Sequence, residues 1–395
     1  MNKASLRDRM SALVLIVPLL AFLGVFFLWP LWTMVTAAVV DDTVSRVLPR
    51  TATAIVLWDG RDLPPANVHK ALIEDLRESS DQQALGETVR RLNSAVSGFR
   101  TLLSRTTNAV RDEAASKDIN LESLDPRWKD PRFWLALKHA VPPYTDRNLL
   151  AAVDMRRDSE GQIVIEASGA SANRLIMFRT FLIAAIVTAA CAAIGLPYAM
   201  LAAAMTGWKR SALLLAVLVP LWTSLLVRTT AWFVLLQNEG LINGALQAIG
   251  LIDSPLPLIF NRLGVVIAMT HVLLPFMVLP IYSVLLSVPP NLMQAAASMG
   301  ASPLLAFWRV LLPLSLPGLL SGSLLVFMVA IGYYITPALV GGANDQMISS
   351  VIAFYATGTA NWGLAGALGL ILLLVTTALY LVYGRLSKSP QLVGA

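Results

Sequence analysis

Residues 289–318, PPNLMQAAASMGASPLLAFWRVLLPLSLPG, decide how the rest of this chain is read. They lie between two long apolar runs, where a membrane protein would carry a short loop. The stretch divides itself into two small helices. Pro289 and Pro290 suit a helix start, and Leu292, Ala295, Ala296 and Met299 recur at helical spacing. Gly300 is placed to end that helix in a left-handed cap. Ser302 offers an N-cap oxygen to a second helix, with Pro303 in its first turn. That helix runs toward Pro313, which cannot sit inside it without a kink.

The same residues resemble the EAA loop of inner-membrane permeases in binding-protein-dependent ABC transporters. The family pattern is Glu-Ala-Ala, a glycine shortly after, and an apolar stretch ending in Leu-Pro. Gln294, Ala295, Ala296, Gly300, Leu312 and Pro313 occupy those places. The resemblance implies a coupling helix that docks into a groove of a cytoplasmic ATPase. Met299, Ala301 and Leu305 belong to the same docking segment. Small alanines allow close approach, and a helix laid in a groove is a recurring mode of recognition. Gln294 departs from the family's acid. It keeps the length and can hydrogen-bond, but it forms no ion pair.

Working outward, composition excludes an ordinary soluble domain. The chain has 395 residues, 56% of them hydrophobic, and a mean hydropathy of +0.66. A membrane helix takes about twenty mainly apolar residues. Six candidates appear, roughly 12–38, 175–205, 212–236, 263–287, 317–340 and 364–384. The first follows a basic start (Lys3, Arg7, Arg9), but it is too long for a signal-peptide core and is read as an uncleaved anchor. Charge sets the orientation. Lys3, Arg7, Arg9, Lys209, Arg210, Arg309, Arg385 and Lys388 fall on one side if the helices alternate, so that side is cytoplasmic. Both termini are then inside, and the EAA-like loop faces the compartment where ATP is. The calculated pI is 9.6, yet a nucleic-acid partner is not implied. Residues 41–174 hold 19 Lys or Arg against 20 Asp or Glu, so the basic excess sits at membrane edges.

The expected fold is an all-α polytopic membrane protein. It has six transmembrane helices and an α+β periplasmic domain inserted between helices 1 and 2. The expected division is 1–41, cytoplasmic N-terminus and helix 1; 42–173, the insert; 174–388, a permease core with its coupling loop at 289–317; and a tail at 389–395. Within the insert, Thr53–Trp58 reads as a strand ending at Asp59-Gly60. Leu85, Val89, Leu92, Val96, Phe99 and Leu103 read as one long amphipathic helix. Phe133–Leu137 suggests a short helix and Gln162–Glu166 a strand. The single cysteine, Cys191, lies in helix 2, so the insert has no disulfide. The insert is expected either to seat a binding protein or shield the pore mouth, or to act only as a spacer.

From about residue 174 the resemblance narrows to spermidine/putrescine permease subunits. It rests on Val219–Thr223 with Leu226, Arg228 and Thr229; on Glu239–Asn243 and Leu251–Pro255; on Leu274–Tyr282; and on Tyr333–Pro337 with Leu339–Gly342. It implies the type I ABC importer permease fold in a bacterial inner membrane. It also implies a second homologous permease subunit in a heterodimer, two ABC ATPase subunits and a periplasmic solute-binding protein. ATP and Mg are used by the ATPase, and no cofactor is bound by this chain. The implied solute is a polyamine.

Ionisable groups inside a membrane mark functional positions. Arg228 and His271 are the clearest, with Trp222, Trp232, Tyr333 and Tyr334 as aromatic candidates along the substrate pathway. Glu239, Asp253 and Asp345 lie near the outer ends. Arg228 also suits a carboxylate, which would mean an amino acid, an opine or another organic anion as solute. Plainer roles stand beside these. Arg228 can snorkel or bond backbone carbonyls, His271 can link two helices, and the tryptophans can form an interfacial belt. Tyr333 and Tyr334, adjacent on a helix, would diverge by about 100°. Pro275, Pro280 and Pro337 are hinge candidates. No phosphate-binding loop and no metal-ligand spacing is present; His69, His139 and His271 are dispersed. An ion-coupled secondary transporter would show internal repeats and intramembrane acids. A membrane-anchored sensor would need a cytoplasmic output domain.

Overall fold

The computed structural model describes residues 16–112, 119–157, 162–166, 173–289, 291–359 and 361–387. Lys3, Arg7, Arg9, Pro290, Lys388 and the 389–395 tail lie outside them. The chain divides into two compact units, one ending at Leu150 and the other starting at Ala151.

The first unit begins with helix α1 (Ile16–Val39), apolar and long enough to cross a membrane. A π turn at Gly24–Leu28 precedes Pro30, with Trp29 N–H donating to the Gly24 carbonyl. The wider turn absorbs the proline, which would otherwise strike the carbonyl four residues back. The end of α1 is pinned. Asp41 N–H donates to Pro143 O at 2.8 Å, Thr145 N–H to Val39 O at 2.8 Å, and Val40 bridges Tyr144. The Asp41 carboxylate takes Arg91 and lies 3.6 Å from Arg147. Burial is the largest single influence and would raise that carboxyl, but Arg91, Thr43 and Arg147 together hold it below its ordinary value. Burial and the neighbouring Arg91 push Arg147 down to about 10.

Beyond α1 the first unit is built of helices, chiefly Pro49–Val56, Ala66–Glu78, Gln82–Ala95, Phe99–Asp112 and Pro131–Ala140. They close on Trp128, Trp134, Phe99, Leu72, Leu76, Leu102 and Leu137, all fully buried. Both indoles are satisfied: Trp128 Nε1 donates to Thr106 Oγ1 at 3.0 Å and Trp134 Nε1 to Trp128 O at 2.9 Å.

Residues 42–173 contain both helices and strands, but one expected strand is absent. Thr53–Trp58 is not a strand, because a helix runs over Pro49–Val56. Its β-branched residues favour extended chain locally. A buried carboxylate from elsewhere decides otherwise: Asp75 accepts Thr51 N–H at 2.8 Å, Thr51 Oγ1–H at 2.7 Å and Arg50 N–H at 3.3 Å. The single long helix over 85–103 is also two. Val96 is extended, Gly98 sits at φ +103°, and Asn93 Oδ1 accepts the N–H groups of Gly98 and Arg100. Phe133–Leu137 does lie in a helix, and Ile163–Ile165 does form a strand. That strand, β2, pairs antiparallel with β1 (Met155–Arg157), in register Met155 with Ile165. They are the only strands among the described residues, and both belong to the second unit.

The second unit carries the remaining candidate spans, α2 (Asn173–Ala204), the bent pair α3 (Gly207–Trp222) and α4 (Leu225–Leu235), α5 (Arg262–Ser287), α7 (Pro303–Gly332) and α9 (Trp362–Ser387), with the short helices α6 (Asn291–Ser298) and α8 (Ile335–Val340) between them. Among the described residues five helices are long and apolar enough to cross a membrane, six if α3 and α4 count as one bent span. Asp154 caps α2, its two oxygens accepting Asn173 N–H and Arg174 N–H, each at 2.9 Å.

The core is α2, α5 and α7 wrapped around Met277. A Cβ on Gly195 of α2 would lie 2.8 Å from Met277 Cγ. On α7, Gly318 and Gly322 form a small-xxx-small pair against α5. A Cβ on Gly318 would stand 2.8 Å from Ile281 Cα, and one on Gly322 2.9 Å from Met277 Sδ. Pro275 and Pro280 lie inside α5. A second π turn, Phe307–Leu311, precedes Pro313 as the first precedes Pro30, so α7 passes the proline without ending.

Two spans differ from the hydropathy reading. The third bends by 101° between α3 and α4, where Thr223 is extended just after α3 ends at Trp222, with Pro220 in its last turn. The fifth starts earlier than 317 and stops at Gly332. Tyr333 and Tyr334 occupy the break, so the helical divergence expected of them does not apply. Pro337 falls in the first turn of the short α8, where a proline N–H is not missed, and not within a long helix.

Candidate functional site

Two groups of residues carry chemistry in the second unit. The first is the turn between α6 and α7. Gly300 has φ +84°, Ala301 N–H donates to Ala296 O at 3.0 Å, and Gly300 N–H to Ala297 O at 2.9 Å. This is the paired closure of a glycine cap. Ser302 Oγ accepts Leu305 N–H at 3.3 Å, and Pro303 opens the next turn. The alanine face is divided: Ala296 is buried, while Gln294 and Ala295 are exposed. Met299 (83% exposed), Leu304 (69%) and Trp308 (59%) project outward with Leu305. Large apolar side chains so exposed, flanking a rigid glycine turn, make a surface suited to a protein partner. Ala301 is half-buried, and Pro313 is exposed on α7.

The second group surrounds Arg228 on α4. Trp232 Nε1 donates to His271 Nδ1 at 3.1 Å, tying α4 to α5, with the rings 5.4 Å apart and 65° to one another. The Thr229 and Thr336 hydroxyls meet at 3.2 Å, tying α4 to α8. Arg228 Nε and Nη1 are buried and reach no acceptor, so the carbonyl bonds expected of a snorkelling arginine are not made by these two atoms. The guanidinium is within electrostatic range of His271 and Tyr333. Trp232 and His271 are thus in contact, and Arg228 acts electrostatically on His271 and Tyr333. Trp222 stands at the bend, exposed, outside these hydrogen bonds. Tyr334 is exposed, and its carbonyl takes Ser350 Oγ–H at 3.2 Å, as Tyr333 O takes Ser349 Oγ–H at 2.7 Å. Of the outer acids, Asp345 is paired with Arg262 at 3.2 Å, and Glu239 and Asp253 are exposed.

Thr229 and Thr336 lie in the stretches that carry the resemblance, but their pairing and the glycine contacts with Met277 are not among the sequence expectations. The Gly318-x-x-x-Gly322 spacing was the available signal for the latter. Among the described residues no three His, Cys, Asp or Glu are grouped to hold a metal.

Comparison with known proteins adds the following. Residues 195–390 match the family model described as binding-protein-dependent transport system inner membrane component. The chain is 34% identical over 213 residues to the spermidine/putrescine transport system permease protein PotB of Escherichia coli (strain K12). That match covers 54% of this chain and 78% of PotB. It is 34% identical over 226 residues to the inner membrane ABC transporter permease protein YdcU of the same organism, covering 54% of this chain and 71% of YdcU. A chain in the crystal structure of a bacterial alginate ABC transporter, in complex with an alginate pentasaccharide-bound periplasmic protein, superposes with a TM-score of 0.47. That pair is 16% identical, and the superposition covers 56% of this chain and 80% of the other.

Proposed function

The chain belongs to the binding-protein-dependent transport system inner membrane components, and from that premise we propose that it forms one half of a translocation pathway for a polyamine of the spermidine/putrescine type. It is an importer permease of the ABC class. The observation that carries the solute is the 34% identity reaching across 78% of a spermidine/putrescine permease. The turn between α6 and α7 is the docking element for a cytoplasmic ATPase, with Met299, Leu304, Leu305 and Trp308 entering its groove. Two such ATPases, a second homologous permease and a periplasmic binding protein complete the transporter, and ATP hydrolysis belongs to the ATPases. Both termini and the α6–α7 turn face the cytoplasm, which leaves residues 42–173 on the outer side. There, fixed to the end of α1, they are positioned to seat the binding protein. The Arg228, Trp232, His271 and Tyr333 face lines the pathway.

An organic anion is the second reading of the solute, favoured by Arg228, whose buried Nε and Nη1 have no acceptor. Affinity purification of the chain from native membranes, followed by mass spectrometry, tests the assembly. Recovery of a P-loop ATPase and a second permease is expected; recovery alone refutes it. Competition for uptake in the reconstituted complex by putrescine, spermidine and amino acids then tests the solute. Competition by amino acids but not polyamines would replace the first reading with the second.

A further inference from the structure

A guanidinium keeps its proton throughout the physiological range. At membrane depth such a charge normally pairs with an acid. Arg228 has none to pair with on its own spans: residues 16–39, 173–204, 207–235, 262–287, 303–332 and 362–387 contain neither Asp nor Glu. Asp345, the buried acid after α8, is already held by Arg262. The groups around Arg228 do not neutralise it either. An indole N–H can only donate, so the His271 Nδ1 that accepts it from Trp232 carries no proton. The imidazole is therefore neutral, with its one proton on Nε2. His271 is exposed. The result is a wall carrying one fixed positive charge and no negative one. Between low-dielectric helices such a charge acts over a longer distance than it would in water.

We propose that Arg228 is a charge barrier, a fixed positive charge on the wall of the pathway that opposes the passage of small cations through the transporter when ATP does not drive it. The membrane potential, negative inside, pulls every cation inward. A permease that opens a path for organic solutes needs an obstacle to that flow, and a lone arginine excludes cations in this way in other membrane pores. The barrier rests on the reading that this face lines the pathway. An anionic solute meets no such obstacle, whereas a polyamine, itself a cation, passes it only when the ATP-driven change of access carries it through.

The test uses the complete transporter in proteoliposomes with His271→Cys in this chain. Cys191, the only other cysteine of the chain, is buried with its Sγ on Thr270 O and does not compete. Labelling rates by an anionic and a cationic methanethiosulfonate are compared, each divided by the reagent's rate with a free thiol. The anionic reagent should be favoured by about tenfold. Arg228→Gln should bring the ratio close to unity, and Arg228→Lys should keep it. Tyr333→Cys serves as a second reporter should His271→Cys perturb the helix pair. Without ATP, passive rubidium efflux should rise roughly tenfold in Arg228→Gln and stay low in Arg228→Lys. Labelling that proceeds but is blind to charge overturns the barrier while leaving the wetted face intact. No labelling at either position in any nucleotide state overturns the pathway reading, and the barrier with it.

Discussion

Replacing Gly322 by alanine should destabilise the permease core by an amount set by one contact. A Cβ there would lie 2.9 Å from Met277 Sδ, 3.0 Å from Met277 O and 3.2 Å from Met277 Cα. The sulfur ends a flexible side chain and can swing away. The carbonyl and Cα are backbone of α5 and cannot, so α7 must move off by several tenths of an ångström. Added methyl groups in a packed core cost about 1–3 kcal/mol. Alanine's better helix propensity recovers about 1 kcal/mol at most. A net loss of roughly 0–2 kcal/mol follows, toward the upper end because two of the three contacts are backbone. Gly332, the last residue of α7, is the control, since a Cβ there meets nothing within 4 Å. Apparent thermal unfolding of the full chain in detergent, followed by tryptophan fluorescence, should show Gly322→Ala melting below wild type and Gly332→Ala at or above it. Met277→Ala itself costs about 2–5 kcal/mol by emptying the core, but measured in that background the Gly322→Ala penalty should shrink only by the part that belongs to Sδ. If Gly322→Ala and Gly332→Ala melt together, close backbone approach is not what holds α5 to α7.

Gly300→Asp should leave the chain inserted and stable but abolish ATP-driven uptake. The site is open, so the defect comes from the backbone at φ +84° and the added charge, not from a clash; normal uptake would remove the α6–α7 turn from coupling. Asp75→Ala should cost about 1–3 kcal/mol, because it strands the buried N–H and hydroxyl of Thr51. An unchanged unfolding midpoint would show that Asp75 does not dictate the helix at Pro49–Val56. Asp125 is held at about 2 by its hydrogen bond to Arg127, against an ordinary value of 3.8. A depressed carboxyl stabilises the folded state above its unfolded pKa, so this contribution is complete above about pH 4 and is lost as pH falls toward 2. Acid titration of tryptophan fluorescence should therefore show a weaker acid transition in Asp125→Asn than in wild type, and identical profiles would contradict the assignment.

The α6–α7 turn was legible because every signal in it is local. Gly300, Ser302 and Pro303 each act on backbone groups within a few residues of themselves, and the structure places each of them in its cap. The Arg228 group was legible in membership but not in arrangement. Arg228, Trp232, His271 and Tyr333 stand out as polar or aromatic residues in apolar runs. Which of them meet depends on the bend before α4 and the break after α7, and neither leaves a mark in hydropathy.

The sequence by itself determined the apolar spans, since crossing a bilayer requires length and hydrophobicity and both are sums over neighbouring residues. It also determined the helix over Phe133–Leu137, the strand at Ile163–Ile165 and the cap at Gly300. Tertiary structure alone decided the rest. The chain over Pro49–Val56 became helix, where a strand from Thr53 was expected, because Asp75, 24 residues beyond Thr51, supplies its N-terminal acceptor. The long helix broke because Asn93 turns back on Gly98 and Arg100. Met277 became the centre of the core because glycines on two other helices leave room for it. Local pattern fixes what neighbours along the chain can do. Hydrogen bonds and close contacts between distant residues settle the remainder, because their energies exceed the few tenths of a kcal/mol by which local preferences differ, about 0.5 per residue.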